Sequence, residues 1–262
     1  MGRMRREPDS HKGDNGTIVV IGGSDRMHGA PIFAALAAEA GGADLIHLAL
    51  PAHHAEAAKA HGLNFQVHPF GGYDIDPSDV GDLLELLATA DAAVIGPGLA
   101  RDDDAQLAIR ELIEGAQCPL VLDASALQSW TMDAAEGRIV VLTPHLGELE
   151  RMGLAQEDVA AEAEERGIVI HVKGAVDHIA LPDGTTRSVK GGNPGLTVGG
   201  TGDALAGLIG SLLAQSLEPG DACATASGCI KGAGDALERD FGFAYGTIRL
   251  IHEIPRMLRT SL

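Results

Sequence analysis

The residues best suited to chemistry lie in "GGNPGLTVGGTGDALAGLIGSLL", positions 191–213. Gly199, Gly200 and Gly202 allow a tight bend and a close approach to another molecule. From Ala204 onward, Leu205, Leu208, Ile209, Leu212 and Leu213 recur at the spacing of a helix with one buried face. A glycine loop running into a helix presents unpaired backbone N–H groups at the helix start, where an anion is stabilised. Asp203, the carboxylate at that junction, is then either a helix cap or a proton acceptor beside the anion.

Five other turns carry glycine or polar residues: "GGSDRMHGAP", "GPGLARDD", "LDASAL", "TPHLGE" and "VKGAVD". Each follows or finishes an apolar strand. Strands are expected at 17–23, 43–51, 91–100, 118–127 and the start of 138–153, then in "IVIHVKG", "VDHIALPDG" and "TTRSVKGG". Helices are expected at 30–42, 52–62, 78–90, 102–116, 157–167, from Ala204, and in "DACATASGCIKGAGDALERDFG" and "AYGTIRLIHEIPRML". Strands that are apolar almost throughout, alternating with helices, imply an α/β fold whose mostly parallel central sheet is covered on both faces. Ligands of such sheets lie beyond the carboxyl ends of the strands, so the five turns and "GGTGD" fall on one expected rim.

Composition narrows the partners. The chain has 262 residues, 45% hydrophobic, and a mean hydropathy of +0.09, enough for a sizeable core. A net charge of −18 argues against nucleic acid or an anionic membrane as partner. The acid-rich, aromatic-poor composition, with 14 Arg against 5 Lys, fits an ordinary acidic surface or a salt-loving host. No run reaches the roughly 18–20 apolar residues of a membrane span, and "MGRMRREPDS" has no apolar signal region. Cys118, Cys223 and Cys229 are too few and irregular for a disulfide framework or a zinc site, which points to a reduced, cytoplasmic setting. His53, His54 and His61 lack a carboxylate at metalloprotease spacing and read as solvated histidines. There is no G-x-x-x-x-G-K-[ST], and "GGSDRMHG" lacks the G-x-G-x-x-G spacing of a dinucleotide-binding turn.

The motif set goes further. "HKGDNGTIVVIGGSDRMHGAP", "VIGPGL", "LTPHLGELERM", "VKG", "ALPDG" and "NPGLTVGGTGDALAGLIGSLLAQ", in this order, closely resemble the ADP/ATP-dependent NAD(P)H-hydrate dehydratases. The resemblance runs from His11 to about Pro255. It implies a three-layer ribokinase-like fold, a single domain over 11–262 and a flexible tail over 1–10. Members are often fused to an epimerase domain, for which this length leaves no room, so a stand-alone dehydratase is expected.

The implied reaction removes water from hydrated NADH or NADPH at the expense of ADP or ATP, with Mg2+ as cofactor. ADP is the expected donor, since microbial members mostly use it, and a homo-oligomer is the expected assembly. Asp203 would be the base and the Gly200, Thr201 and Gly202 amides the anion hole. Ala30, Gly98, His145 and Asp203 would contact the hydrated dinucleotide. Lys173, Gly174, Ala175, Val176 and Asp177, with Gly202, would meet the nucleotide, and Glu148 is the candidate for the Mg2+ shell. His11 and Lys12 would order either the N-terminal approach to the fold or the substrate rim.

Four positions depart from the family pattern. Ser125 stands where a second Asp is usual, Asp177 where Thr is common, Lys231 where His is usual, and Leu146 where a second Pro is usual. The "GAGD" after Lys231 resembles the site loop but is expected inside a helix. Two rivals share parts of the signal. Another small-molecule kinase of this fold would keep "GGTGD" without reason to carry "HKG" and "TPHxGE". A non-catalytic nucleotide-binding protein would have no need of Asp203.

Overall fold

The computed structural model describes residues 9–261, so positions 1–8 of the expected tail lie outside the described residues. The first half of the chain runs β1 (Thr17–Ile21), α1 (Gly29–Ala40), β2 (Leu45–Pro51), α2 (Ala55–His61), β3 (Phe65–Phe70), α3 (Val80–Leu87), β4 (Ala92–Ile95) and α4 (Asp103–Gly115). It continues with β5 (Leu120–Leu122), α5 (Thr131–Ala135), β6 (Val140–Leu142), α6 (Leu146–Met152), α7 (Val159–Arg166) and β7 (Val169–Val172). The last part is β8 (Asp177–Ala180), β9 (Thr186–Val189), α8 (Thr201–Ala214), α9 (Pro219–Phe241) and α10 (Thr247–Ser261).

The nine strands of the described residues join one sheet in the order β3-β2-β1-β4-β5-β6-β7-β8-β9. Pairing is parallel from β3 to β7 and antiparallel at β8 and β9. Successive side chains on a strand face opposite sides, and both sides here are apolar. Ile18 and Val20 of β1 pack with α1, α8, α9 and α10, whereas Val19 and Ile21 pack with α3, α4, α6 and α7. The expected architecture, a mostly parallel sheet between two helical layers, is what forms. Among the described residues no helix is long and apolar enough to cross a membrane.

Two departures from expectation are instructive. β3 falls where no strand was expected, because "FQVHPF" carries polar residues and a proline. Its place at the sheet edge explains both, since Pro69 costs no ladder bond on the outer side. Helix α8, expected to bury one face, is buried at every residue from Ala204 to Ala214. Small residues make that possible: a Cβ on Gly207 would stand 2.0 Å from the Ala34 carbonyl oxygen. On Gly210 it would stand 2.7 Å from Cγ2 of Val94. Cys223 and Cys229 are both fully buried packing residues on α9, as expected.

Candidate active site

The sheet order reverses between β1 and β4: the chain leaves β1 toward β2 and β3 on one side, then returns to β4 and proceeds on the other. A crevice opens at such a switch point, beyond the carboxyl ends of the two strands. Backbone fills its floor so closely that only glycine fits. The Gly23 amide donates to the Pro97 carbonyl at 2.9 Å. A Cβ on Gly22 would be 2.3 Å from the same oxygen, and one on Gly96 only 1.9 Å from the Asp123 carbonyl oxygen. Gly98, at φ +72°, lies against Met27 and Ala30, 3.1 Å from each to an added Cβ. The turn after β4 and the start of α1 therefore meet, bringing together Ala30 and Gly98.

Helices α1 and α8 run side by side in the same direction, because contacts pair Phe33 with Gly200, Ala34 with Gly207 and Gly41 with Ser211 in order. Their N-termini thus open on the same rim. Gly200 caps α8 at φ +98°, a left-handed conformation. Side chains brace the approaching loop: Thr247 Oγ1 donates to the Gly199 carbonyl at 2.8 Å and Tyr245 OH to Asn193 Oδ1 at 2.8 Å. Among the described residues the Gly202 and Asp203 amides have no carbonyl partner, and Thr201 reaches Val198 O only at 3.5 Å. These are the orphan donors of a helix start, left available for an anion.

Four charged groups gather at this rim. Lys173, just past β7, places Nζ 2.6 Å from Asp123 Oδ1 and 3.6 Å from Glu148 Oε2. The same Nζ lies 3.4 Å from where a Cβ on Gly202 would stand, so the ammonium reaches the first turn of α8. Burial pulls the Lys173 proton affinity down, but Asp123, Glu148 and Asp203 outweigh it and hold it above the ordinary lysine value. Asp123, at the end of β5, is 2% exposed and also accepts from Thr143 Oγ1 at 2.8 Å. No hydrogen bond contributes to the proton affinity of Asp203. Burial pushes its pKa up to about 7, with Asp123 and Glu148 adding to the rise and Lys173 opposing it.

His145 and Glu148 open α6 as a reciprocal cap. Glu148 Oε2 accepts from the His145 amide at 2.9 Å, and His145 Nδ1 accepts from the Glu148 amide at 3.2 Å. The His145 side chain is 59% exposed and can meet a ligand, while that of Glu148 is 6% exposed. With Glu148 engaged in this way and Asp123 bound to Lys173, the donor set does not fit a protein-held Mg2+. Among the described residues no group of three or more His, Cys, Asp or Glu could hold a metal ion.

The turn 173–177 is tied from both ends. The Lys173 amide donates to the Pro144 carbonyl at 2.8 Å, joining it to the His145 turn. Asp177 points inward rather than toward the rim. It accepts from the Gly174 amide at 2.9 Å, from His171 Nε2 at 3.1 Å and from Ser227 Oγ at 2.6 Å. Gly174 and Ala175 are exposed and Val176 is half-buried, so this stretch offers mainly backbone to a ligand. His11 and Lys12 are exposed, and the N-terminal approach is fastened by Asp44, which accepts from the Gly13 and Asn15 amides.

The family model for NAD(P)H-hydrate dehydratase matches residues 18–256, nearly all of the strands and helices just described. The chain belongs to that family. Its fold is ribokinase-like, and the family is one of lyase-type repair enzymes. The chain is 37% identical over 270 residues to the bifunctional NAD(P)H-hydrate repair enzyme of Pyrobaculum aerophilum, covering 97% of this chain and 52% of that protein. It spans about half the length of the bifunctional relatives it matches. It is also 32% identical over 265 residues to the ADP-dependent (S)-NAD(P)H-hydrate dehydratase of Nitrosopumilus maritimus, covering 97% and 92% of the two chains. The structure of the Bacillus subtilis ADP/ATP-dependent NAD(P)H-hydrate dehydratase, co-crystallised with ATP/Mg2+, superposes with a TM-score of 0.82 at 28% identity. That match covers 98% of this chain and 94% of the other.

Seen on this dehydratase-family fold, Asp123 is the site residue that sequence reasoning passed over. Its signal was a carboxylate ending the apolar strand "LVL". Ser125, where the family pattern has a second Asp, bonds instead to the turn after β4: its Oγ donates to the Leu99 carbonyl at 2.6 Å.

Proposed function

We propose that the chain dehydrates hydrated NADH or NADPH, using ADP, or alternatively ATP, as phosphoryl donor. The observation that carries this reading is Asp203: a desolvated carboxylate with a pKa raised to about 7, next to unpaired helix-start amides on the Ala30–Gly98 rim.

Hydroxide leaves poorly at neutral pH, whereas phosphate leaves well. Transfer of the terminal phosphoryl group to the ring hydroxyl therefore makes elimination feasible. A new P–O bond forms to the hydroxyl oxygen as the nucleotide's bridging P–O bond breaks, and the hydroxyl proton passes to an Asp203 oxygen. The ring nitrogen's lone pair then expels phosphate to leave an iminium ion, and loss of a proton from the neighbouring ring carbon gives NAD(P)H, with inorganic phosphate and, from ADP, AMP as the other products. A base whose pKa lies near the working pH contributes about 10²–10⁴-fold. The Gly200, Thr201 and Gly202 backbone would hold the transferring group, where fixed donors contribute about 3–4 kcal/mol each. Lys173, paired to Asp123, supplies positive charge on the same side. Ala30, Gly98 and His145 would receive the dinucleotide, and the 174–176 backbone the nucleotide. When bound, Mg2+ would neutralise phosphate charge.

Incubating the protein with hydrated NADH, Mg2+ and either ADP or ATP, at low and high salt, tests this. The expected result is recovery of reduced-nicotinamide absorbance matched by released phosphate. A stable phosphoester, or no recovery with nucleotide bound, would refute it.

A further inference from the structure

Behind the turn 173–177 lies a buried ionic cluster that takes no part in the chemistry above. Lys231, on the middle of α9, has a side chain only 7% exposed. Its Nζ donates to the Gly174 carbonyl at 3.0 Å and to the Ala175 carbonyl at 3.2 Å, and lies 3.3 Å from Asp177 Oδ1. The remaining acceptor capacity of Asp177 goes to Gly174, His171 and Ser227. Among the described residues His171 Nδ1 has no hydrogen-bond partner, so the ring is tied into the cluster through Nε2 alone. The stem of Lys231 also supports a second loop: an added Cβ on Gly192 would lie 3.2 Å from its Cγ. Gly192 begins the run that ends in the Gly200–Asp203 helix start.

We propose that Lys231 is a positioning residue for the nucleotide. From inside the fold it clamps the Gly174–Ala175 backbone and props the loop entering α8, so that the two ligand-facing segments keep one spacing. The Lys231 ammonium needs no contact with ligand to do this. It acts on backbone carbonyls, and nucleotide affinity should depend on it more than the chemical step does. The inference rests on the nucleotide-dependent reading above.

The test compares wild type, Lys231→Met and Lys231→Arg by calorimetric titration with ADP and with ATP, and by steady-state kinetics. Loss of two charge-assisted bonds should weaken nucleotide binding by about tenfold or more. The same factor should appear in the nucleotide KM, with kcat changed by less than about threefold. Lys231→Arg, which keeps the charge and the donors, should recover part of the loss. If Lys231→Met does not fold, Lys231→Gln is titrated in its place. Wild-type affinity in a folded neutral variant overturns the clamp alone. A kcat loss with unchanged nucleotide affinity does so too. Wild-type protein that binds neither ADP nor ATP overturns both this inference and the proposed function.

Discussion

Two aspartates in this molecule each lie near a lysine, and their proton affinities move in opposite directions. Asp177 faces burial that would raise its pKa, yet bonds from His171, Ser227 and the Gly174 amide hold it well below the usual carboxylate range. Asp203 has burial and two carboxylate neighbours but, among the described residues, no hydrogen bond, and it rises to about 7. A nearby ammonium is common to both and decides neither. What decides is whether donors saturate the carboxylate oxygens. The saturated acid is fixed in one protonation state and suits a structural role. The unsaturated one can exchange a proton near neutral pH.

That contrast can be broken by mutation. The largest effect is expected on the saturated side: Asp177→Ala leaves the buried Lys231 charge without its counter-charge, a loss of about 3–5 kcal/mol. For a chain of this size the melting temperature should fall by about 10 °C or more in a thermal scan. A fall of only a degree or two would show that Asp177 is not held as described. On the unsaturated side, Asp203→Asn should lower kcat by at least about 100-fold in the repair assay while ADP titration stays within about threefold. Undiminished turnover would remove Asp203 as the base.

Two smaller effects sharpen the comparison. As a base, Asp203 must be unprotonated, so kcat in the wild type should fall as the pH drops through about 7. Lys173 lowers the Asp203 pKa, so Lys173→Met should move that acid limb to higher pH in a pH–rate profile. A limb that stays put would mean that the titrating group is not Asp203. The smallest effect is thermal. A raised pKa means that native Asp203 binds more protons than unfolded aspartate between about pH 4 and 7, so its contribution to stability is lost as pH rises. Asp203→Asn should therefore melt about 2–4 °C above wild type at pH 8, with the gap closing toward pH 5.

Much of this was legible in the chain. Apolar strands punctuated by glycine turns announced the two-sided sheet, and the "GGTGD" junction pointed to α8 and Asp203. The charged surroundings of Asp203 were not legible, because they come from Asp123, Glu148 and Lys173, separated in sequence and joined only by strand order. Asp123 went unnoticed for the same reason: one acid after "LVL" is unremarkable until Lys173 reaches it. The inward turn of Asp177 depended on Ser227 and Lys231 from α9, a helix whose face cannot be phased against β7 from sequence. β3 escaped because Pro69 and His68 disguise an edge strand, where polar residues and a missing donor are tolerated.

The contact between Gly207 and the Ala34 carbonyl has a consequence for how this cleft can vary. It is backbone against helix, with no side chain between, so the starts of α1 and α8 are held together independently of the residues that line the rim. Side chains of the turns at 24–28, 97–101 and 145–148 can be exchanged without altering that backbone contact. Redirecting the cleft toward a different alcohol is therefore a problem of side-chain exchange in those turns, with Gly207 as the position to leave unchanged.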